Sequence, residues 1–144
     1  MFIGEYLHTV DDKKRISLPS KFRKELGSKV VVTRGLDNCL FLFPHKAWLV
    51  ISEETAKLGL MQHDTRGFTR FMFSGASEID VDSMGRILIP DYLRDFSGVK
   101  GSVVYAGVHN RIEIWEPKRW DIYKKKIESQ AEEMAEKLSS IGLK

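Results

Sequence analysis

Val10-Asp-Asp-Lys-Lys-Arg15-Ile-Ser-Leu-Pro19 returns about 71 positions later as Val81-Asp-Ser-Met-Gly-Arg86-Ile-Leu-Ile-Pro90. Both stretches place an aspartate four residues before an arginine, follow it with a short apolar run and stop at a proline. The correspondence keeps its order downstream. Arg23 matches Arg94 and Gly27 matches Gly98; after a one-residue shift, Val31-Val32 matches Val103-Val104, Gly35 matches Gly107, Asn38 matches Asn110 and Trp48 matches Trp120. Ordered self-similarity of this kind marks a duplicated supersecondary unit. The copies run from residue 5 to about 48 and from 76 to about 120. Either alone would be a marginal domain, so the two are expected to share one core with pseudo-two-fold symmetry.

Local signals agree on the layout of each copy. Glu5 to Val10 and Ser77 to Val81 run into polar turns, and Arg15 to Leu18 and Arg86 to Ile89 return as short apolar strands, which predicts a hairpin in each copy. Gly85 suits a turn position with positive φ. Pro19 and Pro90 stand where a short helix can begin, carrying Phe22 and Leu26 or Leu93 and Phe96 on one face, and Gly27 and Gly98 end it. A second hairpin follows, Lys29 to Thr33 with Leu40 to Phe43, and Ser102 to Ala106 with Ile112 to Trp115. Each copy therefore reads β-β-α-β-β, and the fold class is α+β, mainly β with helices. Residues 49–75 read as a helical linker, with helices over 45–60 and 63–73. Phe68, Phe71, Met72 and Phe73 are expected to bury against the core. Residues 121–144 read as a C-terminal helix, within a helical stretch that begins at Pro117. Its Trp120, Tyr123, Ile127, Met134 and Leu138 form one apolar seam suited to another helix or subunit.

Composition narrows the function. The 144 residues suffice for a packed core, and the longest apolar runs, such as Leu40 to Phe43, are far too short to span a bilayer. No signal-peptide apolar region follows Met1, and Cys39 is the sole cysteine, so a cytosolic protein without disulfides is expected. His8, His45, His63 and His109 lack metal-ligand spacing, Cys39 reads as a small buried hydrophobe, and no phosphate-binding glycine loop occurs. No cofactor, metal or small-molecule ligand is expected, and no enzyme. The formal charge is only +3, but Lys13, Lys14, Arg15, Lys21, Arg23 and Lys24 crowd one stretch into a candidate basic patch.

The repeated Asp-x-x-x-Arg concentrates the chemistry. Asp11 and Asp82 can accept turn amides and hold Arg15 and Arg86, an arrangement that serves equally as a turn brace. It also leaves guanidinium donors for phosphate or for O6 and N7 of guanine. Lys13 and Lys14 stand in the first turn where the second has Met84 and Gly85, so positive charge gathers on the first copy. Two functions fit: a DNA-binding regulator, or a basic homo-oligomeric scaffold that binds a protein partner.

Five segments resemble the MraZ family of bacterial transcription factors, within the AbrB-like superfamily: residues 1–8, Asp11 to Pro19, 33–41, 68–76 and Asp82 to Pro90. The resemblance covers nearly the whole chain. It implies a double-split β-barrel made from both repeats and assembly into a ring-shaped homo-oligomer. It also implies binding to short direct repeats of double-stranded promoter DNA at the cell-division and cell-wall gene cluster, including the protein's own gene, in the nucleoid. The family motif falls on Asp11, Arg15, Asp82 and Arg86, with Lys13 and Lys14 beside it. Where the family usually has glycine this chain has Lys14, so the first turn is expected either to change shape or to gain charge.

Overall fold

The computed structural model describes residues 1–142, in which the two repeats interlock rather than lie side by side. The first repeat gives β1 (Phe2–Thr9), β2 (Arg15–Ser17), α1 (Ser20–Leu26), β3 (Lys29–Arg34) and β4 (Leu40–Pro44). Helices α2 (His45–Ala56) and α3 (His63–Gly75) lead to β5 (Ser77–Asp80), β6 (Arg86–Leu88), α4 (Asp91–Ser97), β7 (Ser102–His109) and β8 (Arg111–Trp115). The chain closes on α5 (Pro117–Ser140); residues 143 and 144 of the expected C-terminal helix lie outside the described residues. The strands form a six-stranded antiparallel sheet, β1-β7-β8-β4-β3-β5, and a two-stranded ribbon, β2-β6. This is an α+β, split-barrel-like architecture whose barrel is not closed: β1 and β5 are sheet edges, and the ribbon stands apart from the sheet.

The first hairpin expected in each repeat does not form as such. The chain reverses at the turn, but β1 pairs with β7, β5 with β3, and β2 with β6, leaving the lone bridge Val10–Ile16 between the intended partners. Turn residues specify a reversal, not a partner, and a two-stranded hairpin alone is marginal in water. Exchange of the leading strands instead gives both repeats one continuous sheet. The later hairpins, β3-β4 and β7-β8, form within their repeats as expected.

The pseudo-two-fold axis passes between Ile16 and Ile87 in the ribbon and between Phe41 and Glu113 in the sheet, each pair directly opposed. The pairing also corrects the repeat alignment. Val30 faces Ile79 as Val103 faces His8, so Val30, not Val31, is the equivalent of Val103. One residue matters because it turns a strand over. Val30, Val32, Val103 and Tyr105 enter the central core with Ile16, Leu18, Ile87 and Ile89, whereas Val104 and Ala106 join Trp115 on the other face.

Helices cover the two faces of the sheet. Phe22 of α1 meets Phe2 and Tyr6 edge-on at 5.2 and 5.3 Å. Pro19 and Pro90 cap α1 and α4 instead of occupying their first turns, and Gly27 and Gly98 end them with φ of 75°. On the outer face, the Thr33 hydroxyl donates to the Met72 carbonyl at 2.6 Å. Met72 is buried and Phe71 half-buried, but Phe68 and Phe73 stay exposed, against expectation, because α3 buries only Met72 and Gly75. The seam of α5 divides likewise. Trp120 and Tyr123 pack on Trp115 at 5.3 and 5.0 Å, while Met134 and Leu138 stay exposed. Among the described residues no helix is long and apolar enough to cross a membrane.

Candidate nucleic-acid interface

The two Asp-x-x-x-Arg turns are the same object built twice. In the first, Asp11 Oδ1 accepts the amides of Lys13 and Arg15 at 2.9 and 2.8 Å, and Oδ2 accepts Arg15 Nε at 3.0 Å. In the second, Asp82 Oδ1 accepts the amides of Met84 and Arg86 at 3.0 and 2.8 Å, and Oδ2 accepts Arg86 Nε at 2.8 Å. The amides of Lys14 and Gly85 close the turns onto the Asp11 and Asp82 carbonyls, both at 2.9 Å. Amide donation from Arg15 and Arg86, with their guanidinium contacts, holds both carboxylates below the usual range. They are ionised at neutral pH. Because each carboxylate engages Nε from the side, the two Nη groups at the far edge carry no hydrogen bond among the described residues. They point the guanidinium's two-pronged end away from the turn.

What the sequence did not predict is that both arginines share one surface. β2 and β6 are three residues each and antiparallel, with Arg15 opposite Leu88, Ile16 opposite Ile87 and Ser17 opposite Arg86. Side chains alternate along a strand, so the buried isoleucines leave Arg15, Ser17, Arg86 and Leu88 on the outward face. The arginines sit on the diagonal of this ribbon, as residues about 7–8 Å apart by standard sheet geometry. Their side chains are partly covered, Arg15 being 32% exposed. Neither is sealed in the core.

The turns at the two ends differ in chemistry but not in shape. Lys14 adopts φ of 65° and Gly85 φ of 76°, so lysine occupies the left-handed position without altering the turn. The departure from the family's glycine therefore adds charge and leaves the geometry intact. A left-handed conformation costs a non-glycine residue roughly 1–2 kcal/mol. Lys14→Gly should raise stability by about 1 kcal/mol in a urea titration while weakening any polyanion binding; a lower midpoint would contradict the strain argument.

The interlocked repeats also redistribute the basic patch. Arg23 of the first repeat lies against the second turn, its guanidinium filling the space that a Cβ on Gly85 would need. Arg94 of the second repeat shares a cleft with Lys14, Lys100, Asp91 and Asp95 beside the first turn. Each end of the ribbon thus has an arginine from the other repeat beside its turn. Arg94 binds Asp91, and Arg23 Nε donates to the Leu18 carbonyl at 3.3 Å. The strand exchange that creates these placements leaves no local trace in the sequence.

The remaining candidates are structural. Cys39 sits in the turn before β4 and is buried, its thiol pushed far up by desolvation, and Sγ donates to the Leu36 carbonyl at 3.1 Å. Half-buried His8 meets the Tyr105 ring edge-on at 5.4 Å. Among the described residues no group of three or more His, Cys, Asp or Glu side chains could hold a metal ion.

A duplicated, open split-barrel-like fold that offers an arginine-bearing ribbon at its pseudo-two-fold axis fits the architecture that the family resemblance implies. Residues 1–71 and 72–140 each match the family described as "MraZ protein, putative antitoxin-like". The chain is 45% identical over 143 residues to transcriptional regulator MraZ of Syntrophomonas wolfei, covering 99% of this chain and all of that protein. It is 47% identical to the proteins of that name from Natranaerobius thermophilus, over 96% of both chains, and Clostridium tetani, over 99% of this chain and all of that one. The chain belongs to the MraZ family.

Proposed function

We propose that the protein is a sequence-specific DNA-binding transcriptional regulator that seats the β2-β6 ribbon in the major groove. The observation that carries this is the outward pair Arg15 and Arg86, each braced through Nε, with no hydrogen bond to its Nη edge among the described residues. A two-stranded ribbon fits the major groove, and an arginine presented end-on can pair with guanine O6 and N7. Lys13 and Lys14, exposed at one end, are placed for phosphates, while Asp11 and Asp82 orient the arginines without touching DNA.

One ribbon makes few contacts, so affinity depends on linked copies; joining sites can add about 10² to 10⁴ through effective concentration. Self-association, in the ring that the family resemblance implies, supplies them. Exposed Leu60 and Met61 between α2 and α3, and Met134 and Leu138 on α5, are apolar surface for it. Adjacent protomers then read short direct repeats in the promoter of the cell-division and cell-wall cluster, the gene's own included, and the protein works in the cytoplasm at the nucleoid. The exposed apolar residues would equally suit a scaffold for another protein. A gel-shift with the gene's own upstream fragment, against competitor DNA and at rising salt, separates the two. The regulator gives a specific shift whose log affinity falls with log salt by about 0.9 per phosphate neutralised. A flat titration or full competition by unrelated DNA contradicts it.

A further inference from the structure

We infer that Leu88 is a base-reading residue that packs on a thymine methyl group beside the guanine taken by Arg15; this rests on the ribbon's seating in the major groove. The outward face of the ribbon has four side chains. Three are polar, and the fourth, Leu88, is 54% exposed directly opposite Arg15. The duplication supplies an internal control. Ser17 occupies the position equivalent to Leu88 in the same ribbon, so the fold does not require an apolar side chain there.

The setting of Leu88 selects its partner. It borders a cleft with Lys13, Lys14, Ile89, Pro90, Asp91 and Arg94, where Arg94 is paired with Asp91 and the two lysines are exposed, and it lies opposite Arg15. An apolar surface beside two exposed lysines and an arginine is matched by a polyanion that carries an apolar spot. In the major groove that spot is the C5 methyl of thymine, which no other DNA base presents. The other end of the ribbon is built differently: Met84, 63% exposed, stands where the first turn has Lys13, and Ser17 stands where this end has Leu88. Two equivalent arginines thus have unlike neighbours. The ribbon reads an asymmetric sequence and seats on it in one direction.

The test selects binding sites from random-sequence duplexes with the full-length wild type, Leu88→Ser and Ser17→Leu, then replaces each thymine of the wild-type site with deoxyuridine. Removing one buried methyl should weaken wild-type binding about fourfold at one position. Leu88→Ser should lose both that effect and the preference for thymine there, with its melting temperature unchanged. Ser17→Leu should gain a thymine preference beside the guanine read by Arg86. The inference is overturned if Leu88→Ser selects the wild-type sequence with the same deoxyuridine effect, or if its sole change is in sedimentation. Should the wild type enrich no sequence at all, the DNA reading fails first and this inference with it.

Discussion

Arg15→Ala and Arg86→Ala should each weaken binding to the selected site by about 1–3 kcal/mol, roughly five- to 150-fold, and the double variant should bind no better than to random DNA. The thermal midpoint should stay near that of the wild type. The structure separates the two effects, because each aspartate caps two turn amides through Oδ1 independently of the guanidinium on Oδ2. Losing the arginine leaves the turn closed. Loss of folding together with binding would show that the Asp–Arg pair is a brace rather than a reading head. Wild-type affinity in the double variant would remove the ribbon from recognition altogether.

Ile16→Ala should cost about 2–5 kcal/mol of stability, a large share of the roughly 5–15 kcal/mol available to a domain of this kind. Ile16 is fully buried and opposes Ile87 on the pseudo-two-fold axis, so the cavity opens where both repeats meet. The two isoleucines share that site. Ile16→Ala with Ile87→Ala should therefore differ from the sum of the single losses, and a double-mutant cycle from urea denaturation measures the coupling. A loss below about 1 kcal/mol for Ile16→Ala would mean that the ribbon is not fastened through this pair.

The sequence announces what is local and conceals what is exchanged. Asp11 and Asp82 predict their turns because an aspartate's reach to amides two and four residues on is fixed by the chain itself. Gly27, Gly98 and Gly85 are legible for the same reason, each answering a backbone angle. Partner choice is different. Nothing within Glu5 to Val10 says that it pairs with β7 rather than β2, since its alternation fits either neighbour. The slip between Val31 and Val30 has the same origin: in a run such as Val30-Val31-Val32 every residue suits either face, so register is set only by the strand alongside. The candidate site follows this division. Asp11, Lys13, Lys14, Arg15, Asp82 and Arg86 could be named one by one, but their convergence on two ends of a single ribbon needed the fold. Leu88 went unnoticed because an apolar residue in a short strand reads as core until its neighbour Ile87 is seen to take the inward place.

Methylation interference on the selected site tests the central claim most directly, because methyl groups on guanine N7 block the major-groove edge alone. The ribbon predicts two sensitive guanines about two base-pair steps apart, matching the diagonal spacing of Arg15 and Arg86. Arg15→Ala should abolish sensitivity at one of them and leave the other. Binding that is indifferent to N7 methylation, with the site intact and the protein folded, would contradict the account.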